Sequence, residues 1–157
     1  MNLKKIITTL SFLLLLSCGY DPIYSEKKIN NTYNFSINAI NFMGDDKINR
    51  IIKNKLKKYL NKEKKSNELN LNLNSIVETK ITSKDKKGNP LKFSKKIIIN
   101  LEAYESYILK GKTNFKEKFE YNNKSNKFEL RQYEKNIKDN LISKLSDKIN
   151  TYLDTLK

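Results

Sequence analysis

Between residues 69 and 74 the chain reads Leu69-Asn70-Leu71-Asn72-Leu73-Asn74. Strict alternation of a large apolar and a small polar side chain places every leucine on one face of an extended strand and every asparagine on the other. A helix would scatter the same leucines around its axis. The strand is expected to run on towards Thr79 or Ile81. Such a half-buried strand is not stable alone; it needs partner strands and a second layer over its leucines. The rest of the chain has to supply both.

Three further strand patterns are present. Residues 35–42 alternate, with Phe35, Ile37 and the smaller Ala39 on one face and Ser36 and Asn38 on the other; Gly44 is expected to end the strand. After a polar loop, Ser83-Lys84-Asp85-Lys86-Lys87-Gly88-Asn89-Pro90, a long strand is expected over 96–109. Ile97, Ile99, Leu101 and Ala103 share one of its faces; Ile98, Asn100, Glu102 and Tyr104 share the other. Lys110-Gly111-Lys112 reads as a tight turn, and Thr113, Phe115, Phe119 and Tyr121 continue with period two as the second arm of a hairpin.

The covering layer comes from two amphipathic helices. Asp45 or Asp46 suits a helix N-cap, where a carboxylate meets unpaired N–H groups. From there Ile48, Ile51, Ile52, Leu56, Tyr59 and Leu60 recur at three- and four-residue steps, which predicts a helix over 46–61 with Lys53, Lys55, Lys57 and Lys58 largely outward. A turn-rich break at 122–126 precedes a long helix over 127–155. Its stripe is Leu130, Tyr133, Ile137, Leu141, Leu145, Ile149, Tyr152, Leu153 and Leu156, with no Pro or Gly inside. The order is β-α-β-β-β-α. It predicts an α+β two-layer sandwich: about four strands, mainly antiparallel, with both helices on one face. No internal repeat or second domain is visible.

Composition narrows the chemistry. The chain has 157 residues and a formal net charge of +15, nearly all from lysine, since Arg50 and Arg131 are the only arginines. A basic surface attracts anionic partners. The lysines are also spread evenly among many Asn and Ile, as A/T-rich codon usage alone would produce, so two origins of the charge stand side by side. Histidine is absent, and the one cysteine is Cys18. No Ser-His-Asp or Cys-His site, no His or Cys-cluster metal site and no internal disulfide can therefore be built. There is no glycine-rich phosphate loop. No enzyme and no cofactor are expected, and no nucleic-acid motif is present.

The start of the chain has its own logic. Lys4 and Lys5 precede the uncharged apolar run Ile6 to Leu16, too short for a bilayer-spanning helix. This is the pattern of a secretory signal peptide. Leu15-Leu16-Ser17-Cys18-Gly19 follows and resembles a bacterial lipobox: an aliphatic residue three before the cysteine and small residues on either side of it. Cleavage after Ser17 would leave Cys18 as a lipidated N-terminus, and acylation by more than one chain anchors stably. The expected organisation is a signal peptide over 1–17, a lipidated N-terminus and tether over 18–34, and one α+β domain over 35–157. By analogy with bacterial lipoproteins, the absence of Asp after Cys18 favours the outer membrane.

Cys18-Gly19-Tyr20-Asp21-Pro22-Ile23-Tyr24 resembles the start of LPS-assembly lipoproteins of the LptE family, particularly alphaproteobacterial members. Tyr20 and Ile23 stand where that family has Phe and Leu. The expected strand and helix order, including a hairpin that ends in Tyr121-Asn122 and a long C-terminal helix, agrees with it. The resemblance implies a non-enzymatic outer-membrane lipoprotein, lipid-anchored on the periplasmic side. It would plug the LPS-exporting β-barrel LptD, assist the barrel's assembly and help deliver lipopolysaccharide to the outer leaflet. On that reading Lys84, Lys86, Lys87 and Lys92 are the expected LPS contacts; the plain alternative for them is a solvated hairpin loop. Two other functions fit the same residues: a lipoprotein accessory (pilot or assembly factor) of another envelope complex, and a basic lipoprotein that binds envelope polymers.

Overall fold

The computed structural model describes residues 35–60 and 67–156. The signal peptide, Cys18 and the tether expected over 18–34 lie outside the described residues. The elements are β1 (Phe35–Gly44), α1 (Asp46–Leu56), β2 (Asn67–Lys84), β3 (Pro90–Glu105), β4 (Ile108–Asn122) and α2 (Lys127–Leu153), with a 3-10 turn over Lys57–Tyr59. They form one four-stranded sheet of order β1-β2-β3-β4. The β1–β2 pair is parallel, which requires a crossover, and α1 supplies it. The other two pairs are antiparallel hairpins.

The leucine face of β2 is the core. Leu71 and Leu73 have no exposure, and in β3 the same holds for Ile97, Ile99, Leu101 and Ala103. Across the ladder Leu73 opposes Leu101, and Leu101 opposes Thr113 of β4. Ile48, Ile52 and Leu56 of α1 and Ile142, Leu145, Ile149 and Leu153 of α2 pack in the same cluster. Both helices thus cover one face, and the α+β sandwich in the order β-α-β-β-β-α is what the structure contains.

Three local expectations are corrected. In β1 the register slips between Ile37 and Ala39, opposite Leu69 and Asn70. The extra residue, Asn38, inverts the phase, so Ile40 and Phe42 rather than Ala39 pack against the core. A large side chain replaces a methyl on the buried face, which is the gain from the bulge. The first helix stops at Leu56 instead of 61. Lys57–Tyr59 tighten into the 3-10 turn, and Leu60 is extended and bridges to Ile37.

The third correction is the hairpin turn, which lies at Ser106–Tyr107 and not at Lys110-Gly111-Lys112. Gly111 sits inside β4 for a different reason. A Cβ there would lie 2.3 Å from the Tyr152 hydroxyl and 2.8 Å from Leu156, so the glycine lets the end of α2 approach the strand. β3 accordingly starts earlier, at Pro90, and the loop between β2 and β3 shrinks to 85–89.

The junction of β1 and α1 is built on Gly44 and Asp45. Gly44 has φ +93°, and a Cβ would fall 1.9 Å from the Ser75 carbonyl oxygen. Asp45 is the N-cap: its carboxylate accepts from the Ile48 N–H at 2.9 Å and from Lys138 Nζ of α2 at 2.9 and 3.0 Å. Burial works to raise this carboxyl, but the Lys138 ammonium and the Ile48 N–H outweigh it and hold it below the ordinary aspartate value. The Ser75 hydroxyl donates to Asn49 Oδ1 at 2.8 Å and accepts from the Asp45 N–H at 2.9 Å. One polar knot therefore joins β1, β2, α1 and α2.

Candidate functional site

Two surfaces stand out: the far end of the β2–β3 hairpin and the face of the sheet that no described helix covers.

At the hairpin end the two strands run past the core. Val77 is half-buried, but Thr79, Lys80 and Ile81 are exposed. The loop is knit by Asp85, whose Oδ1 accepts the N–H groups of Lys87 and Asn89 at 2.8 Å each, while its Oδ2 accepts from Asn89 Nδ2 at 3.0 Å. The Asn89 side chain, then its backbone N–H, holds the Asp85 carboxyl below its ordinary value. The four lysines singled out from the sequence come together here. Lys84 closes the ladder opposite Pro90, Lys86 and Lys87 sit in the loop, and Lys92 opposes Ser83 and Asn122. All four are exposed, and among the described residues none joins a close ion pair. Lys92 acts through space on Glu120, whose carboxyl is lowered chiefly by its hydrogen bond to Lys118. Asn123 ties the end of β4 to this hairpin, donating from its N–H to Leu91 O and from Nδ2 to Pro90 O, both at 2.8 Å.

Sequence reasoning missed what lies beneath. Ile81 and Leu91 are 48% and 49% exposed, so apolar side chains flank the cationic tip. Below them Lys95 is only 9% exposed and lies on the core side of β3. Its Nζ reaches Thr79 Oγ1 at 3.3 Å and Glu134 at 4.0 Å, and Glu134 accepts from the Tyr121 hydroxyl at 2.6 Å. Burial first, and then Glu134, raises the Tyr121 phenol. The Tyr121 ring stacks on Phe93 and meets Tyr133 edge-on. Lys95 is one of many lysines, and nothing in its neighbours marks it as the buried one. The signal was its phase: it shares the odd positions of Ile97, Ile99 and Leu101.

The uncovered face carries the asparagines. Asn38 donates to Asn70 at 3.1 Å, Asn41 to Asn72 at 3.0 Å, and Asn114 to Asn100. Beside them Glu102 accepts from Lys112 at 2.7 Å and from the Tyr104 hydroxyl at 2.8 Å. The hydrogen bonds with Lys112 and Tyr104 hold the Glu102 carboxyl below its usual range. This surface combines paired amides with the Glu102–Lys112 ion pair and is ready to exchange hydrogen bonds of both kinds. Among the described residues no helix is long and apolar enough to cross a membrane.

By sequence, no protein family and no curated protein matches the chain. Structure gives more. The rare lipoprotein B of Shewanella oneidensis superposes with a TM-score of 0.55 over 74% of this chain and 93% of its own, at 14% identity. A minor lipoprotein of Acinetobacter baumannii gives 0.56 over 78% and 91%, at 10% identity. The chain shares its fold with these lipoproteins. A lipoprotein B of Nitrosomonas europaea agrees, at 0.52 over 82% and 88% with 11% identity. The shared region spans nearly the whole length of each of these structures, so the helix-on-sheet sandwich corresponds to most of each solved domain.

Proposed function

We propose that this chain is an outer-membrane lipoprotein of the LptE type, acylated on Cys18, which serves as the non-enzymatic plug and assembly partner of the LPS-exporting barrel LptD. The observation that carries the reading is a coincidence of two independent features. A lipobox-like Leu15-Leu16-Ser17-Cys18-Gly19 precedes a domain whose fold is that of solved bacterial lipoproteins. The opening Cys18-Gly19-Tyr20-Asp21-Pro22-Ile23-Tyr24 supports the finer assignment.

The geometry is compatible with the role. A large transmembrane barrel has a polar interior, and the uncovered Asn, Lys and Glu face offers amide and charged hydrogen-bonding groups to such a wall. Lys84, Lys86, Lys87 and Lys92 stand on a hairpin stiffened by Asp85 and, among the described residues, join no close ion pair. Lysines act on phosphates and acidic sugars as point charges. Ile81 and Leu91 beside them suit the acyl part of the same amphiphile.

The test is affinity capture of the lipidated protein from detergent-solubilised envelopes. Co-purification of the LPS-exporting barrel, with loss of surface LPS on depletion, is the expected result. A different barrel or secretion complex with normal LPS export would overturn the translocon role in favour of an accessory of another machine. Salt-sensitive capture of anionic polysaccharide without any barrel would favour a polymer-binding lipoprotein. Replacement of Lys84, Lys86, Lys87 and Lys92 together by serine is expected to weaken LPS binding without lowering stability, because all four are exposed.

A further inference from the structure

The β3–β4 turn departs from ordinary hairpin chemistry. Ser106 and Tyr107 have φ of 45° and 72°, both in the left-handed region. A two-residue turn of this type normally takes Asn-Gly or Asp-Gly, because side chains with a Cβ are strained there. Tyr107 gains nothing from packing in return: it is 99% exposed. The next two residues, Ile108 and Leu109, are 67% and 50% exposed. Three successive large side chains thus project from the apex of a rigid ladder. The neck below is electrically neutral, since Lys110 pairs with Glu105 at 2.6 Å and Lys112 with Glu102 at 2.7 Å.

We propose that the Tyr107-Ile108-Leu109 tip inserts into the headgroup region of a phospholipid bilayer and forms a second membrane contact beside the lipid on Cys18. The inference rests on the lipoprotein reading for the presence of that first anchor. Three observations favour lipid over protein as the occupant. The tip is convex and only three residues long, far short of the area a stable protein interface requires. A phenol followed by two aliphatic side chains is interfacial chemistry: the amphipathic Tyr107 ring at the apex suits headgroup depth, and Ile108 and Leu109 behind it add apolar area. The chain also enters the domain at the same end: Phe35 opposes Asn67, and Leu69, two residues on, opposes Glu105 at the turn. A short apolar contact binds weakly alone and becomes effective as a second signal beside an acyl chain. The net charge, +15 for the whole chain and +13 without Lys4 and Lys5 of the leader, draws the domain towards anionic lipid.

The chain contains no tryptophan, so Tyr107→Trp creates a single reporter at a fully exposed position. The full chain, matured in cells, is reconstituted into phosphatidylethanolamine–phosphatidylglycerol vesicles with or without brominated acyl chains. The expected result is a blue-shifted emission that brominated lipid quenches. Phe128→Trp, 62% exposed at the other end of the sheet, should stay red-shifted and unquenched. Adding Ile108→Asp to Tyr107→Trp should abolish the quenching. Vesicle-bound protein whose Tyr107→Trp emission matches that of Phe128→Trp overturns the proposal and leaves the lipoprotein reading intact. Mass spectrometry of the same sample reads Cys18 separately: an unacylated chain overturns the lipoprotein reading. The tip proposal then falls with it, because a contact this short needs the acyl anchor beside it.

Discussion

Leu71 and Leu73 of β2 have no exposure, while Asn70, Asn72 and Asn74 on the same strand are half-buried. In β3 the same contrast separates Ile99 and Leu101 from Asn100 and Glu102. Adjacent residues, with the same backbone pairing, thus face two solvents. The inner face is held by burial in a close-packed core, where each methylene counts. The outer face is held by pairwise amide and ion-pair contacts, each of which replaces a similar bond to water and nets little. The difference teaches where change is tolerated: the inner face specifies the fold, and the outer face is free to be shaped by a partner.

The sharpest way to break this comparison uses neighbours. Leu101→Ala removes a wholly buried side chain from a central strand, opposite Leu73. It should cost about 3 kcal/mol, the usual range for a cavity of this kind. Asn100→Ala, one residue away, should stay within about 0.5 kcal/mol of the parent. Urea denaturation of both variants is the measurement. Equal losses would mean that the outer face is as tightly constrained as the inner one.

The next effect sits where the inner layer is fastened. Asp45→Ala removes a helix cap and leaves Lys138, which is 18% exposed, without its carboxylate. A loss of about 1–2 kcal/mol is expected near neutral pH. The sign of its pH dependence follows from linkage. The Asp45 pKa is depressed in the folded protein, so its contribution is complete above the ordinary value of 3.8 and disappears as pH falls through the lower folded value. The stability gap between parent and Asp45→Ala should therefore be constant above about pH 5 and shrink on acidification below about 4. A gap that held unchanged to pH 2 would remove the ion pair and the cap bond from the account.

How far the sequence reveals these features depends on their range. Period two in β2 and β3, the stripes of both helices and the Asp45 cap are local patterns, and each appears in the structure. The cluster of Lys84, Lys86, Lys87 and Lys92 is legible because the four lie within one hairpin. Contacts set by distant residues are not legible. Gly111 reads as a turn because nothing nearby in sequence announces that Tyr152 and Leu156 will press on it. The Asn38 bulge depends on the register with β2, and the groups that meet the buried Lys95 ammonium, on Thr79 and Glu134, lie sixteen and thirty-nine residues away. Ser106 and Tyr107 carry no turn signature at all. The Asn pairs across the outer face were hidden for the same reason: alternation fixes which face a residue takes, but not its partner.

The smallest expected effect tests the outer face on its own terms. Asn72 accepts from Asn41 at 3.0 Å on the neighbouring strand. Asn72→Ala removes that bond and the hydrogen bond from the Asn72 side chain to the Glu102 carboxylate. The two groups it frees, on Asn41 and Glu102, remain reachable by water, because Asn41 is exposed and Glu102 only half-buried. An unmade bond at a wet surface lacks the desolvation penalty that makes a buried one expensive. The isolated domain should lose no more than about 0.5 kcal/mol. If a polar barrel wall covers this face, as proposed above, the same substitution acts differently in the assembled complex: water is then excluded, and the amide's absence should lower recovery of the barrel in affinity capture. A loss of several kcal/mol in the isolated domain would instead make the asparagine pairs structural, and the contrast between the two faces would then rest on side-chain chemistry alone and not on tolerance to change.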